Sequence, residues 1–204
     1  FFGFRKRARP LPRPLIRIPV AVSVLTSHYP ASLIMRSKDP STLRIVDLWT
    51  FKSAKSNKRY IEEVEKFTNQ FLGLKFYWKG VANSKLRYSL LTNDYEPRTI
   101  VMSCVHIMLE YFKRDKCASF GFVAASDLHV PVTHNVPNKR FRFYRRMMLS
   151  IFGSETFVQG YDLKNSIYLL INKDMFMRGV ISLDKIESEI SRLYEGEYSL
   201  VLAP

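Results

Sequence analysis

The stretch Leu86–Ala125, LRYSLLTNDYEPRTIVMSCVHIMLEYFKRDKCASFGFVAA, carries two apolar runs on either side of an amphipathic one. Leu86–Thr92 (LRYSLLT) predicts a strand. Asn93–Glu96 form a loop that delivers Pro97, whose fixed φ and missing N–H suit the first turn of a helix. Val101, Cys104, Val105, Met108, Tyr111 and Phe112 follow at i, i+3, i+4, i+7, i+10 and i+11. That spacing predicts a helix to about Arg114, with Cys104 in the core and not acting as a nucleophile. Ala118–Ala125 (ASFGFVAA) is a short apolar run, as a strand covered on both faces requires. Strand, helix and strand with covered faces imply a right-handed crossover and parallel pairing.

Reading outward from this unit, Asn138 is a good N-cap for a helix over Lys139–Phe152, which Gly153 ends. Thr156–Tyr161 and Ser166–Asn172 predict a hairpin, and Ser182 caps a last helix with Leu183, Ile186, Ile190 and Leu193 inward. Upstream, Leu43–Phe51 reads as a strand. Tyr60, Ile61, Val64, Phe67, Phe71 and Leu72 fit helical spacing, yet Tyr60–Phe67 and Phe71–Trp78 also fit a hairpin around Thr68-Asn69-Gln70. The extended character of Leu74–Trp78 favours the hairpin. The expected fold is α/β: a mixed, mostly antiparallel sheet with a central parallel strand–helix–strand unit, in one domain spanning 37–204.

Composition narrows the function. Hydrophobic residues make up 47% and charged residues 25%, which is globular and not disordered. Lys and Arg number 32 against 18 Asp and Glu, a net charge of +14 that favours contact with nucleic acid, a ribosome or another polyanion. No apolar stretch approaches the ~20 residues of a membrane span. Cys104 and Cys117 are too few for a disulfide framework, and a cytoplasmic location is expected. Residues 1–36 form a basic, Pro-rich tail: up to Ile34 there is no Asp or Glu, and six Arg or Lys accompany Pro10, Pro12, Pro14 and Pro19. Such a run buries too little surface to offset the entropy of ordering it. One reading is a disordered tail, or translated upstream sequence, since Met35 is the first methionine. The other is a basic arm settling on nucleic acid.

The order of elements over Leu43–Lys173 resembles the GNAT-type N-acetyltransferase fold. SFGF (Ser119–Phe122), KRFRFY (Lys139–Tyr144) and YLLIN (Tyr168–Asn172) resemble segments of bacterial proteins of that fold. The resemblance implies acyl-CoA as cofactor, lying in a splay between the parallel strands, here Leu90–Thr92 and Phe122–Ala125. It implies an N-acyl transfer in which an amine attacks a thioester directly. In that family an Arg/Gln-x-x-Gly-x-Gly/Ala loop holds the pyrophosphate on backbone N–H groups. The matching stretch Thr92–Thr99 has no glycine and carries Asp94 and Glu96. Leu90, Thr92, Arg98 and Thr99 are therefore the cofactor-binding candidates, with Arg98, Thr99 and the helix N-terminus as the phosphate contacts. The family's catalytic tyrosine, a proton donor to the departing thiolate, matches Tyr144; packing with Phe141, Met148 and Ile151 is its structural alternative. Glu62, Glu63, Asp94 and Asp127 are candidate bases, with nothing to choose among them.

Lys139, Arg140, Arg142, Arg145 and Arg146 place five cations in eight residues of one helix. They are candidates for polyanion contact, with Phe143 as a ring to stack on a base; the alternative is a solvated face over a core helix. Asp127, His129 and His134 share a loop, but no Cys-x-x-Cys or His-Glu-x-x-His spacing supports a site, and no metal is expected. Two functions stand: a divergent or inactive GNAT-like acyltransferase, and a basic nucleic-acid- or ribosome-binding module without catalysis.

Overall fold

The computed structural model describes residues 27–40, 44–67, 70–90, 94–125, 138–194 and 197–203. Among them, eight strands form one open mixed sheet flanked by four helices. The elements in chain order are β1 (Ala31–Lys38), β2 (Ile45–Lys52), β3 (Arg59–Lys66), β4 (Phe71–Trp78), α1 (Pro97–Arg114) and β5 (Ser119–Val123). Then follow α2 (Lys139–Phe152), β6 (Phe157–Asp162), β7 (Ile167–Asn172), α3 (Lys173–Met177), α4 (Leu183–Tyr194) and β8 (Val201–Leu202). Strand order is β1-β2-β3-β4-β5-β7-β6-β8, and β4–β5 is the parallel pair; every other pairing is antiparallel.

Alternation sorts the side chains into two cores. Trp49, Tyr60, Val64, Leu72, Phe120 and Leu170 point to the face covered by α1 and α2. Phe71, Ile167, Leu169 and Ile171 point to the other face, where Met175 and the Ile186–Ile190 stripe of α4 meet them. The helix boundaries follow their caps. Asn138 Oδ1 accepts from Phe141 N at 2.7 Å, and Gly153 ends α2 at φ 55°.

The hairpin reading of residues 60–78 holds, as β3 and β4 pair from Tyr60↔Trp78 to Lys66↔Leu72. Two other expectations are corrected. Of the run Leu86–Thr92, the described part, Leu86–Leu90, is not a strand but a string of turns: Arg87 N bonds Ser84 O, and Ser89 N and Leu90 N bond Leu86 O. Its side chains are drawn down onto β3 instead. Tyr88 donates to Glu63 Oε2 at 2.6 Å, while Arg87 stacks over the Tyr77 and Tyr88 rings. The first strand of the parallel unit is therefore β4, and the crossover to β5 includes both these turns and α1. The second correction concerns the tail. Ala31–Arg36, counted within it, forms most of β1, because β2 offers a free edge and Asp47 a partner: Arg36 Nε lies 2.6 Å from Asp47 Oδ1.

Asp47 is fully buried in this arrangement. Burial alone would push its carboxyl up, but hydrogen bonds from Arg36, Tyr111 and Lys66 outweigh that and hold it at about 2. Tyr111 in turn accepts from Trp49 Nε1 at 2.9 Å, so one acid ties β1, β2, β3 and α1 together.

Candidate functional site

The parallel strands part company. β4 and β5 pair from Phe71↔Ser119 to Leu74↔Phe122; beyond that, Lys75–Trp78 pair with β3 alone and Val123 with β7 alone. The pair is held close where Gly73 faces Gly121. A Cβ on Gly73 would come within 2.7 Å of the Phe67 ring, and one on Gly121 within 2.5 Å of the Phe71 ring. Past the glycines the sheet opens into a cavity of about 600 Å³, reaching from the α1–α2 face through the gap. Leu74, Phe76, Trp78, Ile100, Phe122 and Val123 give it apolar walls. A smaller cavity of about 230 Å³ lies under α4 and shares Leu74, Lys75 and Val123 with the first.

Polar groups converge on the larger cavity from several elements. Asp94 receives Lys58 Nζ and the Tyr60 hydroxyl, each at 2.6 Å. Glu96 also lines the cavity, and its carboxylate accepts from the Tyr29 hydroxyl at 2.5 Å, from Ser53, and from Ser56 Oγ at 3.2 Å. Arg87 lines the cavity with its Nε buried and unpartnered among the described residues. Lys75 lies between the two cavities, bonded to Glu65 and Tyr194 at 2.9 Å each; burial opposes its charge, and these partners outweigh burial and raise its pKa.

Of the sequence candidates, Tyr144, Leu90, Lys139 and Arg140 line the cavity. Tyr144 is buried from its ring outward, against Phe76 at 6.2 Å between centroids. Burial pushes its phenol pKa up, with Arg140 partly offsetting, so the hydroxyl keeps its proton at neutral pH. Arg98 and Thr99 are displaced from the role assigned to their side chains. Pro97 at the first helical position turns Pro97, Ile100 and Val101 toward the cavity, and leaves Arg98 exposed and Thr99 beside Ser27 at 3.4 Å. Thr92 lies outside the described residues.

The five cations of α2 separate. Arg140 donates to the carbonyls of Tyr88 and Ser89 at 2.6 and 2.7 Å, fastening the turns of 84–90 to the helix. Lys139, Arg142, Arg145 and Arg146 are exposed.

Among the candidate bases, Asp94 alone is in the cavity wall. Glu63 is engaged with Tyr88 and Arg87. Glu62 is fully buried, its carboxylate oxygens meeting no nitrogen or oxygen partner among the described residues; burial pushes its pKa well up, and the Cys104 thiol beside it offsets that only in part. Asp127, His129 and His134 lie outside the described residues. Among the described residues no group of three or more His, Cys, Asp or Glu is placed to hold a metal ion, and no helix is long and apolar enough to cross a membrane. Sequence reasoning missed Arg87, whose run it took as a strand, and the Lys58–Asp94–Tyr60 cluster, which joins residues distant in sequence.

Searches of protein-family models, curated proteins and solved structures return no significant match to this chain.

Proposed function

We propose that the cavity between β4 and β5 is the reaction centre of a divergent GNAT-like N-acyltransferase. The observation that carries this reading is the parting of the parallel strands beyond Leu74↔Phe122, which leaves an apolar slot in mid-sheet with Tyr144 in its wall. A mostly antiparallel sheet with one parallel pair supports the reading at the level of fold class.

The residues present suit an acyl-CoA with one change. The apolar walls, Leu74, Phe76, Phe122 and Val123, match the thin arm of such a cofactor. The glycine loop is missing, and of the residues just before α1 the Glu96 carboxylate is engaged by Ser53 and Tyr29 while Tyr95 is 88% exposed. Arg98 N and Thr99 N in the first turn of α1, with Lys139, would hold the phosphates. When bound, the cofactor supplies an acyl group activated as a thioester.

The chain's own residues then have separate tasks. Asp94, held by Lys58 and Tyr60, accepts a proton from an acceptor ammonium in the cavity, leaving the free amine. Tyr144, kept protonated by burial, donates to the departing sulfur. The turns of 84–90, clamped by Arg140, keep bulk water from the slot.

Acetyl-CoA and desulfo-CoA, each at 1 mM, test the reading by thermal shift. A ligand that binds the native state alone raises its stability by about 2.7 kcal/mol at a hundredfold excess over Kd, several degrees for a chain of this size. The expected result is a rise in Tm that Leu74→Trp, which fills the slot, removes. No shift with wild type at 1 mM overturns it.

A further inference from the structure

The outward side of α2 combines features that the fold does not need. Lys139, Arg142 and Arg146 follow one another at i, i+3 and i+7, with Arg145 on the flank. None of the four is in an ion pair with a carboxylate among the described residues; Arg145 lies over the Tyr161 ring at 5.9 Å and near Tyr168, neither of which carries a charge to match it. By contrast Arg44, Lys58, Lys66 and Lys75 all lie within 3.1 Å of an acid. Like charges at these spacings disfavour a helix. The first turn of α2 also contains no acid, so Lys139 and Arg142 sit uncompensated at its positive end. The arrangement opposes helix formation twice, which an external anion would relieve.

This face begins at the cavity mouth. Lys139 lines it, and so do Phe143 and Tyr95. Tyr95 is 88% exposed and held at φ 52°, a left-handed conformation that costs a non-glycine residue energy. An aromatic ring is thus kept in solvent, on strained backbone, at the cavity that Lys139 at the head of α2 also lines.

We propose that this surface binds a single-stranded nucleic acid, with its phosphates on Lys139, Arg142, Arg145 and Arg146 and a base stacked on Tyr95 or Phe143. Guanidinium groups match phosphate in charge and geometry, and rings beside a cationic track are what unstacked bases use. A membrane surface is disfavoured, because Leu149 is the one large apolar side chain that α2 exposes. An acidic polypeptide would use the cations and leave the rings without a role. The inference rests on Arg142, Arg145, Arg146 and Tyr95, none of which the acyl-transfer reading uses; Lys139 is shared with the proposed cofactor site.

The test is fluorescence anisotropy of a labelled 12-nucleotide single-stranded RNA of mixed sequence with the full chain, between 50 and 250 mM NaCl, without any thioester. Log K is expected to fall linearly with log salt. The triple variant R142Q/R145Q/R146Q is expected to bind about tenfold or more weakly and to flatten the slope by about 2, since each single-strand phosphate contact contributes about 0.7. Y95A is expected to bind about tenfold more weakly with the slope unchanged. The three arginines are exposed, so an unchanged Tm for the triple variant checks that the fold is intact. The N-terminal cations serve as the internal control, and R5Q/K6Q/R7Q/R9Q is expected to keep both affinity and slope. A triple variant that binds like wild type, or binding that disappears only in the N-terminal variant, overturns the proposal. So does displacement of the RNA by polyglutamate at equal charge concentration, or preference for phosphatidylserine vesicles over RNA.

Discussion

The hydroxyl of Tyr60 donates to Asp94 at 2.6 Å, and Lys58 Nζ meets the other carboxylate oxygen at the same distance. One acid in the cavity wall therefore joins the start of β3 to the residues that open α1. Asp94→Asn keeps an acceptor for Tyr60 and Lys58 but cannot take up a proton. With acetyl-CoA and an amine acceptor, kcat is expected to fall by about 10²–10⁴-fold while Tm moves by only a few degrees. Full activity in this variant would remove Asp94 from the chemistry.

Glu62 is the opposite case, a core carboxyl with no nitrogen or oxygen partner among the described residues and only the weakly bonding Cys104 thiol beside it. A buried polar group left unpaired costs about 1–3 kcal/mol, so Glu62→Leu is expected to raise Tm by roughly 3–10 °C at pH 7. Its pKa is raised in the folded chain, so the folded state holds a proton that the unfolded chain releases. Stability from this group is complete below about pH 4 and declines as pH rises toward neutrality. Glu62→Gln is expected to flatten that decline in denaturation curves taken from pH 5 to 8; an unchanged slope would contradict it.

Asp47 works in the other direction. Its folded pKa, about 2, lies below the ordinary 3.8, so its contribution is full above pH 4 and lost as pH falls toward 2. Asp47→Ala leaves Tyr111, Lys66 and Arg36 without their acceptor and is expected to cost about 3 kcal/mol near neutrality, measured by urea unfolding. The acid limb between pH 4 and 2 should be shallower in the variant.

Gly121→Ala places a methyl group 2.5 Å from the Phe71 ring, with Leu169 at 3.3 Å on another side. Overpacking of this kind costs about 1–3 kcal/mol. The pair Gly121→Ala with Phe71→Leu is expected to be less than additive in chemical denaturation, since the smaller side chain relieves the contact.

Much of this architecture was readable in the residues. The α1 stripe from Val101 to Phe112, the Asn138 cap and the Gly153 stop each state a local rule that nothing distant overrides. LRYSLLT obeyed a local rule too, and was overruled by Glu63, which draws Tyr88 and Arg87 onto β3 across 25 and 24 positions. β1 was hidden for a related reason: Leu33, Ile34 and Met35 are exposed, so no buried alternation marks the strand, and its Arg36–Asp47 bond appears only once β2 lies alongside. The site divides in the same way. Tyr144 entered as a candidate from the helix that bears it, and the structure puts it in the cavity wall; Asp94 was one acid among four, and only the fold brings Lys58 and Tyr60 to it.

The Arg140 guanidinium, bonded to two successive carbonyls, makes access and readiness a single event. The bond that keeps the turns of 84–90 over the slot originates one helical turn from Tyr144, on the same rigid rod. A molecule that wedges those turns outward pulls on the segment of α2 that positions the phenol. Under the proposed acyl transfer, doorway and phenol would be fixed to one beam, so that widening the first disturbs the aim of the second.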